Sequence, residues 1–211
     1  MFSDRADAGR QLAGALERFR LARPLVLALP RGGVVVGAEI ARAFGCDLDV
    51  VLVKKLRAPG SPELALGAVS EDEQTFVNRE VVEMTGAGDE YVRNEIRERL
   101  AEIVRQRDGY RAHKPKTPAA GRTVILTDDG LATGATMIAA VQATSLARPQ
   151  RMVVAVPVAA PEALRTIQGM NQVDETVCLL TPMWFEGVGQ FYGDFRQIED
   201  EEVIKVLEEF A

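Results

Sequence analysis

The chain has 211 residues, 47% of them hydrophobic and 27% charged, and a net charge of −6. That length buries a substantial core as one domain, or as one domain with a sizeable insertion. The acidic balance excludes a broad basic footprint for nucleic acid and argues against binding to a membrane surface, so any anion site must gather its positive charge locally.

Cys46 and Cys178 lie far apart in apolar surroundings and read as free thiols in a reducing compartment, with no disulfide framework. Asp4, Arg5, Asp7 and Arg10 precede any apolar run, which does not suit a secretory signal. No apolar stretch approaches the roughly 18 residues that would cross a membrane. A cytoplasmic location is therefore expected.

In chain order, residues 4–20 place Leu12, Leu16 and Phe19 among charges, the pattern of an amphipathic opening helix. Residues 25–29 form a short apolar run ended by Pro30, as a buried parallel strand would. Residues 34–44 predict a helix and residues 48–53 a second strand, followed by the basic cluster Lys54, Lys55 and Arg57. Strand, helix and strand at this spacing make a βαβ unit. Residues 57–118 then interrupt the rhythm. This insertion opens on the turn-rich Ala58-Pro59-Gly60-Ser61-Pro62, offers a hairpin of residues 65–69 with 75–77, and continues in a charged helix over 89–108. The helix carries Tyr91, Ile96, Leu100, Ile103 and Val104 as its apolar stripe, and its charges read as a solvated face. The segment from His113 to Pro118 links back, and the lone histidine in it is expected to be exposed rather than catalytic. Strand 123–127, helix 135–147, strand 152–156, helix 161–167, strand 176–180 and a closing helix over 200–210 complete an α/β alternation. A parallel sheet with helices on both faces is the expected fold, in a single domain over 1–211.

The run from Val124 to Met137 concentrates the chemistry. A buried strand ends in Asp128 and Asp129, followed by Gly130-Leu131-Ala132-Thr133-Gly134-Ala135-Thr136 and the start of a helix. A loop of Gly, Ala and Thr lets backbone N–H groups approach phosphate oxygens, its hydroxyls add donors, and the helix points its positive end to the same place. The two carboxylates accept hydrogen bonds only, which suits the vicinal hydroxyls of a ribose. Taken blandly, the aspartates would cap a helix, but capping needs one acid and no threonine pair. After the first strand, Arg31, Gly32 and Gly33 open a helix; the glycines free the backbone to turn N–H groups to an anion and Arg31 adds a forked donor. Lys54 and Lys55 are expected at the same carboxyl edge of the sheet, where ligands of open α/β sheets bind. Near the C-terminus, residues 181–198 hold Trp184, Phe185, Phe191, Tyr192 and Phe195 among glycines. They suit either an aromatic mini-core or a hood stacked on a flat ring.

The segment from Val124 to Met137 resembles the 5-phosphoribosyl-1-pyrophosphate (PRPP) motif of type I phosphoribosyltransferases. The likeness covers about residues 25–57 and 123–195 and is nearest to members whose acceptor is unassigned. It implies that residues 132–136 (Ala132, Thr133, Gly134, Ala135, Thr136) hold the 5-phosphate and that Asp128 and Asp129 hold the ribose hydroxyls and steady positive charge on the ring. Arg31, Gly32, Gly33, Lys54 and Lys55 take pyrophosphate, in a loop where the family often has a cis peptide bond. Trp184 and Phe185 belong to the hood, and residues 57–118 act as a lid. Mg²⁺ enters mainly on the pyrophosphate, with no dedicated metal ligand, and a homodimer is common for the fold. The implied reaction moves ribose 5-phosphate from PRPP to a nitrogen nucleophile, a nucleobase being expected. The alternative is a non-catalytic PRPP or nucleotide sensor on the same fold; a two-metal hydrolase is disfavoured because the aspartates have no further ligands. Gly130 departs from the branched apolar residue or Ser usual there, and Ala132 stands where the hypoxanthine–guanine enzymes carry Asp.

Overall fold

The computed structural model describes residues 1–211, apart from the side chains of Pro62 and Glu63. In order, the chain forms α1 (Arg5–Ala15), a 3-10 turn (Glu17–Ala22), β1 (Leu25–Ala28), α2 (Gly32–Phe44), β2 (Asp47–Val50), β3 (Val53–Ala58), β4 (Ser61–Ser70) and β5 (Thr75–Val77). There follow α3 (Arg79–Thr85), α4 (Asp89–Arg111), β6 (Thr123–Thr127), α5 (Ala135–Leu146), β7 (Arg151–Val158), α6 (Pro161–Gln168), β8 (Glu175–Leu180), a 3-10 turn (Val188–Phe191) and α7 (Asp200–Glu208).

The apolar runs expected as core strands assemble into one parallel sheet in the order β2-β1-β6-β7-β8. Alternate residues serve opposite faces. Val26, Ala28, Ile125, Val153 and Ala155 share a core with α1, α2 and α7. Leu25, Leu27, Val124, Leu126, Met152, Val154 and Val156 share one with α5 and α6. Helices therefore cover both faces, which is why the strands read as unbroken apolar runs rather than alternating ones.

One expected strand divides in two. The run over 48–53 leaves the central sheet after Val50, and Val53 begins β3 of a separate antiparallel sheet ordered β3-β4-β5. Pairing decides this break: the Val51 N–H still reaches Ala28 O at 3.1 Å, while Leu52 O accepts from Glu71 N at 3.0 Å and Val53 pairs with Ser70. Lys54 and Lys55 thus lie on the small sheet, not at the end of a core strand. The expected hairpin of 65–69 with 75–77 is present as β4–β5, with Ala68 opposite Phe76. Helix α3, capped by the Asn78 side chain, was not anticipated.

The segment expected as a lid is a folded unit. Helix α4 buries Ile103 and Tyr110 in the same core as Leu56, Leu66 and Val69. At its C-terminal end Arg111 forms ion pairs of 2.7 Å with both Asp49 and Glu71, and Asp49 also accepts from the Thr117 N–H at 2.7 Å. The points where the chain leaves and rejoins the central sheet are thereby clasped together. His113 is exposed, as its linker position led one to expect, and contacts Glu208 at 2.7 Å.

Candidate functional site

In this strand order the chain turns outward from β1 to β2 and then returns to the other side of β1 at β6. The loops after β1 and β6 diverge there, leaving a crevice at the carboxyl ends of the strands. Both expected phosphate-binding segments emerge at this point.

After β1 the Pro30–Arg31 peptide bond is cis, and α2 begins at Gly32. Both glycines are required by close approach. A Cβ on Gly32 would stand 1.9 Å from Asp129 Oδ2, and one on Gly33 would stand 2.8 Å from the Asp128 Cα. The loop after β1 is therefore closed directly onto the aspartate pair.

Asp128 Oδ1 accepts the Asp129 N–H at 2.8 Å, and Asp129 Oδ2 accepts from Arg5 Nε at 2.7 Å. Arg5 is held on its other sides by Arg196 O, 2.9 Å from Nη1, and by the face of Phe195, 3.8 Å from the guanidinium carbon. The Tyr192 hydroxyl donates to Asp129 O at 2.6 Å. Burial together with the neighbouring Asp129 carboxylate pushes Asp128 well above the usual carboxylate range. Burial also raises Asp129, against which Arg5 works by donating to and attracting the ionised form.

Beyond the pair, Leu131 anchors the next loop to the end of β7: its N–H reaches Val158 O at 2.9 Å and its carbonyl accepts from Ala160 N at 2.8 Å. Ala132, Thr133 and Thr136 are exposed. Gly134 begins α5 in the left-handed conformation, φ +74°, where a side chain would be strained. Gly134 has no side chain to cap this helix, and the Ala135 N–H makes only a long contact of 3.4 Å to Thr133 Oγ1, so the first N–H groups and the Thr133 and Thr136 hydroxyls form a set of donors suited to an anion. The unusual Gly130 has a physical reason: a Cβ there would stand 2.6 Å from Val188 Cγ1, so a side chain of the C-terminal segment fills the space that a larger residue would take.

Lys54 and Lys55 approach the site from β3. They line a cleft of about 290 Å³ with Leu29, Pro30, Arg57, Gln106 and Thr136, so the small sheet brings them near both loops despite their unexpected placement. A second cleft of about 480 Å³ joins Arg31, Lys54, Glu102 and Arg105. A third, about 560 Å³, runs from Ala132 and Thr133 past Arg165 to Met183 and Phe185. Most of the hood aromatics pack on one another: Phe2–Tyr192, Tyr192–Phe195 and Phe185–Phe191 have ring centroids 5.3, 5.0 and 5.5 Å apart. Trp184 is 85% exposed and lines none of these clefts, whereas Phe185 is half-buried at the wall of the third. The segment is thus a mini-core with an open edge.

Arg5 was missed by reading the sequence, yet a signal exists. Buried positions of α1 fall at Arg5, Ala8, Gly9, Leu12 and Ala13, a helical stripe in which Arg5 occupies a place meant for an apolar side chain. A charged residue in phase with a core stripe calls for a buried partner, and here that partner is Asp129.

The model of the phosphoribosyl transferase domain matches residues 5–192. The chain belongs to the phosphoribosyl transferase domain family. Two Mycobacterium tuberculosis proteins provisionally named phosphoribosyl transferases are 40% identical over 208 residues, covering 99% of this chain and 46% of their own length. The chain therefore spans about half the length of the curated relatives it matches. A Thermus thermophilus protein of known crystal structure is 44% identical, superposes with a TM-score of 0.93 and covers 100% of this chain and 99% of its own. A Neisseria gonorrhoeae protein solved with bound ppGpp shares the fold at 10% identity and TM-score 0.52, covering 100% of this chain and 95% of its own. Within this family the Asp128–Thr136 segment and the Pro30–Gly33 loop are the two elements that the sequence singled out, and they face one crevice. No helix among the described residues is long and apolar enough to cross a membrane.

Among the described residues no group of three or more His, Cys, Asp or Glu side chains forms a metal cage. A Mg²⁺ ion arriving on phosphate oxygens would fit this donor set, because Mg²⁺ keeps several waters and needs only one or two carboxylates beside the phosphates. Asp128 Oδ1 accepts a backbone N–H and Asp129 Oδ2 pairs with Arg5, which leaves the second oxygen of each carboxylate without a hydrogen bond among the described residues.

Proposed function

We propose that this chain transfers the 5-phosphoribosyl group of PRPP to a nitrogen nucleophile, a nucleobase being the first candidate, and releases pyrophosphate. The observation that carries this reading is the closure of Gly32 and Gly33 onto Asp128 and Asp129. It sets a loop suited to an anion against two carboxylates suited to a ribose, with the helix start at Gly134 to Thr136 beyond them. In this reading residues 132–136 hold the 5-phosphate through N–H and hydroxyl donors. Asp128 and Asp129 accept from the ribose hydroxyls and stabilise positive charge as the ring gains oxocarbenium character. The bond from C1 to the pyrophosphate oxygen breaks with its electron pair leaving on pyrophosphate. The nitrogen lone pair forms the new bond to C1, and the proton lost from the nitrogen passes to the released pyrophosphate or to water. Arg31, Lys54 and Lys55, with the N–H groups around Gly32 and Gly33, receive the departing charge; bound Mg²⁺ supplies further charge neutralisation there. Phe185 offers an aromatic wall for a flat acceptor, and Trp184, exposed beside it in sequence, would have to turn inward to add a second face.

The test is Mg²⁺-dependent pyrophosphate release from PRPP with a pool of nucleobases, beside Asp128→Asn and Asp129→Asn. Release that needs the pool and is lost in both variants supports the transferase. PRPP binding without release, from folded protein, replaces it with a PRPP-binding module.

A further inference from the structure

We propose that the insertion helix is part of the anion site: Arg105 of α4, assisted by Gln106, binds the diphosphate opposite Arg31 and Lys54. This rests on the transferase reading of the crevice and adds to it a group from outside the central sheet.

Arg105 lines the 480 Å³ cleft with Pro30, Arg31 and Lys54, and Gln106 lines both that cleft and the 290 Å³ one beside Thr136. Glu102, Arg105 and Gln106 stand at i, i+3 and i+4, so one face of α4 looks onto the cleft. The helix is held rigidly while doing so. Glu95 accepts the Arg57 N–H at 3.0 Å, the Tyr110 hydroxyl reaches Asp200 at 2.5 Å, and Arg111 is clasped by Asp49 and Glu71.

Charge points to the ligand. Arg31, Lys54 and Arg105 outnumber the carboxylates of Glu102 and Asp200 around this cleft, in a chain whose net charge is −6. Arg31 has Glu199 at 3.2 Å and Lys54 has Glu102 at 3.8 Å, both partly exposed pairs of the kind that an incoming anion readily exchanges. Arg105 is exposed and has neither an ion pair nor a hydrogen bond among the described residues. Two guanidinium forks and an ammonium around one space match the several oxygens of a diphosphate better than a single carboxylate. With nothing to anchor in the fold, Arg105 is free to serve that anion.

The decisive experiment is calorimetric titration of inorganic pyrophosphate, with Mg²⁺ present, into the wild-type chain, Arg105→Ala, Arg105→Lys and Arg97→Ala. Arg97 lies on the same helix, exposed, and lines none of these clefts. Loss of one charge-assisted contact should weaken binding about tenfold in Arg105→Ala, with partial recovery in Arg105→Lys and a change within about twofold in Arg97→Ala. Melting temperatures should nearly coincide in all four, since Arg105 has no ion pair or hydrogen bond to lose among the described residues and Arg97 loses only an exposed contact to Asn94. If wild-type protein binds pyrophosphate and Arg105→Ala binds it equally well, α4 is not part of the site and the transferase reading stands without it. Equal losses in the Arg105 and Arg97 variants would reduce the effect to net charge and also overturn the assignment. Wild-type protein that binds neither pyrophosphate nor PRPP overturns both.

Discussion

Two adjacent carboxylates sunk at the end of a buried strand repel each other and lose hydration, and both effects favour their protonated forms. Arg5 opposes this at Asp129 from a distance of 2.7 Å, with side chains only 9% and 16% exposed. Arg5→Gln keeps a donor but removes the charge, so the Asp129 carboxyl should stay protonated to higher pH. We expect the acidic limb of the kcat/KM profile for PRPP to move to higher pH, read from a pH–rate series on both proteins. Asp128, Tyr192 and the Arg5 site itself are the titratable groups facing Asp129, and only the last is changed. The same substitution should cost about 2 kcal/mol of stability at neutral pH, where Asp129 would be an uncompensated charge. Because the folded carboxyl is raised above its ordinary value of 3.8, folding binds a proton more readily. The deficit should therefore shrink as the pH falls towards that value, as denaturant melts at two pH values would reveal. An unchanged acid limb would mean that Arg5 does not govern Asp129.

At the scale of elements, α4 is held both by its apolar stripe and by the ion pairs at its C-terminal end. Among the described residues Arg111 is the one cation paired with Asp49, whose side chain is 1% exposed, and it shares Glu71 with Lys116. Arg111→Ala leaves a buried carboxylate unpaired and should destabilise the protein by about 3 kcal/mol. Amide exchange should accelerate along β3, β4 and α4 before it does so in β1 and β6; uniform acceleration would show that the insertion and central sheet open together. The five core strands were legible in the sequence because burial on both faces leaves an unbroken apolar run between turn residues. The Asp pair and the two glycine loops stood out in the sequence because each lies within a few residues of a strand end, and the structure brings them to one crevice. The small sheet was only half legible: one apolar run feeds two sheets, and nothing local marks the division at Val51–Leu52. Arg5 was unread because its partner lies 124 residues away, and a long-range pair leaves only the faint trace of a charge in an apolar stripe.

For the molecule as a whole, the crevice draws on α1, the loops after β1 and β6, the small sheet and the C-terminal segment. A ligand that binds there and not to the unfolded chain stabilises all of it. At a hundred times its dissociation constant, PRPP with Mg²⁺ should contribute about 2.7 kcal/mol. For a chain of this size that raises the melting temperature by about 5–10 °C. A melt unmoved by PRPP would remove that substrate from the reading. The pairing of β1 with β6 carries one more consequence. Leu25 meets Val124 only after the intervening chain has been set aside, and closing so long a loop is entropically costly. Asp49 and Thr117, 68 residues apart in sequence, are bonded at the base of the insertion. That clasp and the Arg111 pair close a loop nearly as long themselves, so most of the entropic cost of joining β1 to β6 is met at the base of the insertion. The contacts that position α4 over the crevice are therefore also the ones that leave only a short effective path between the two strands on which the crevice is built.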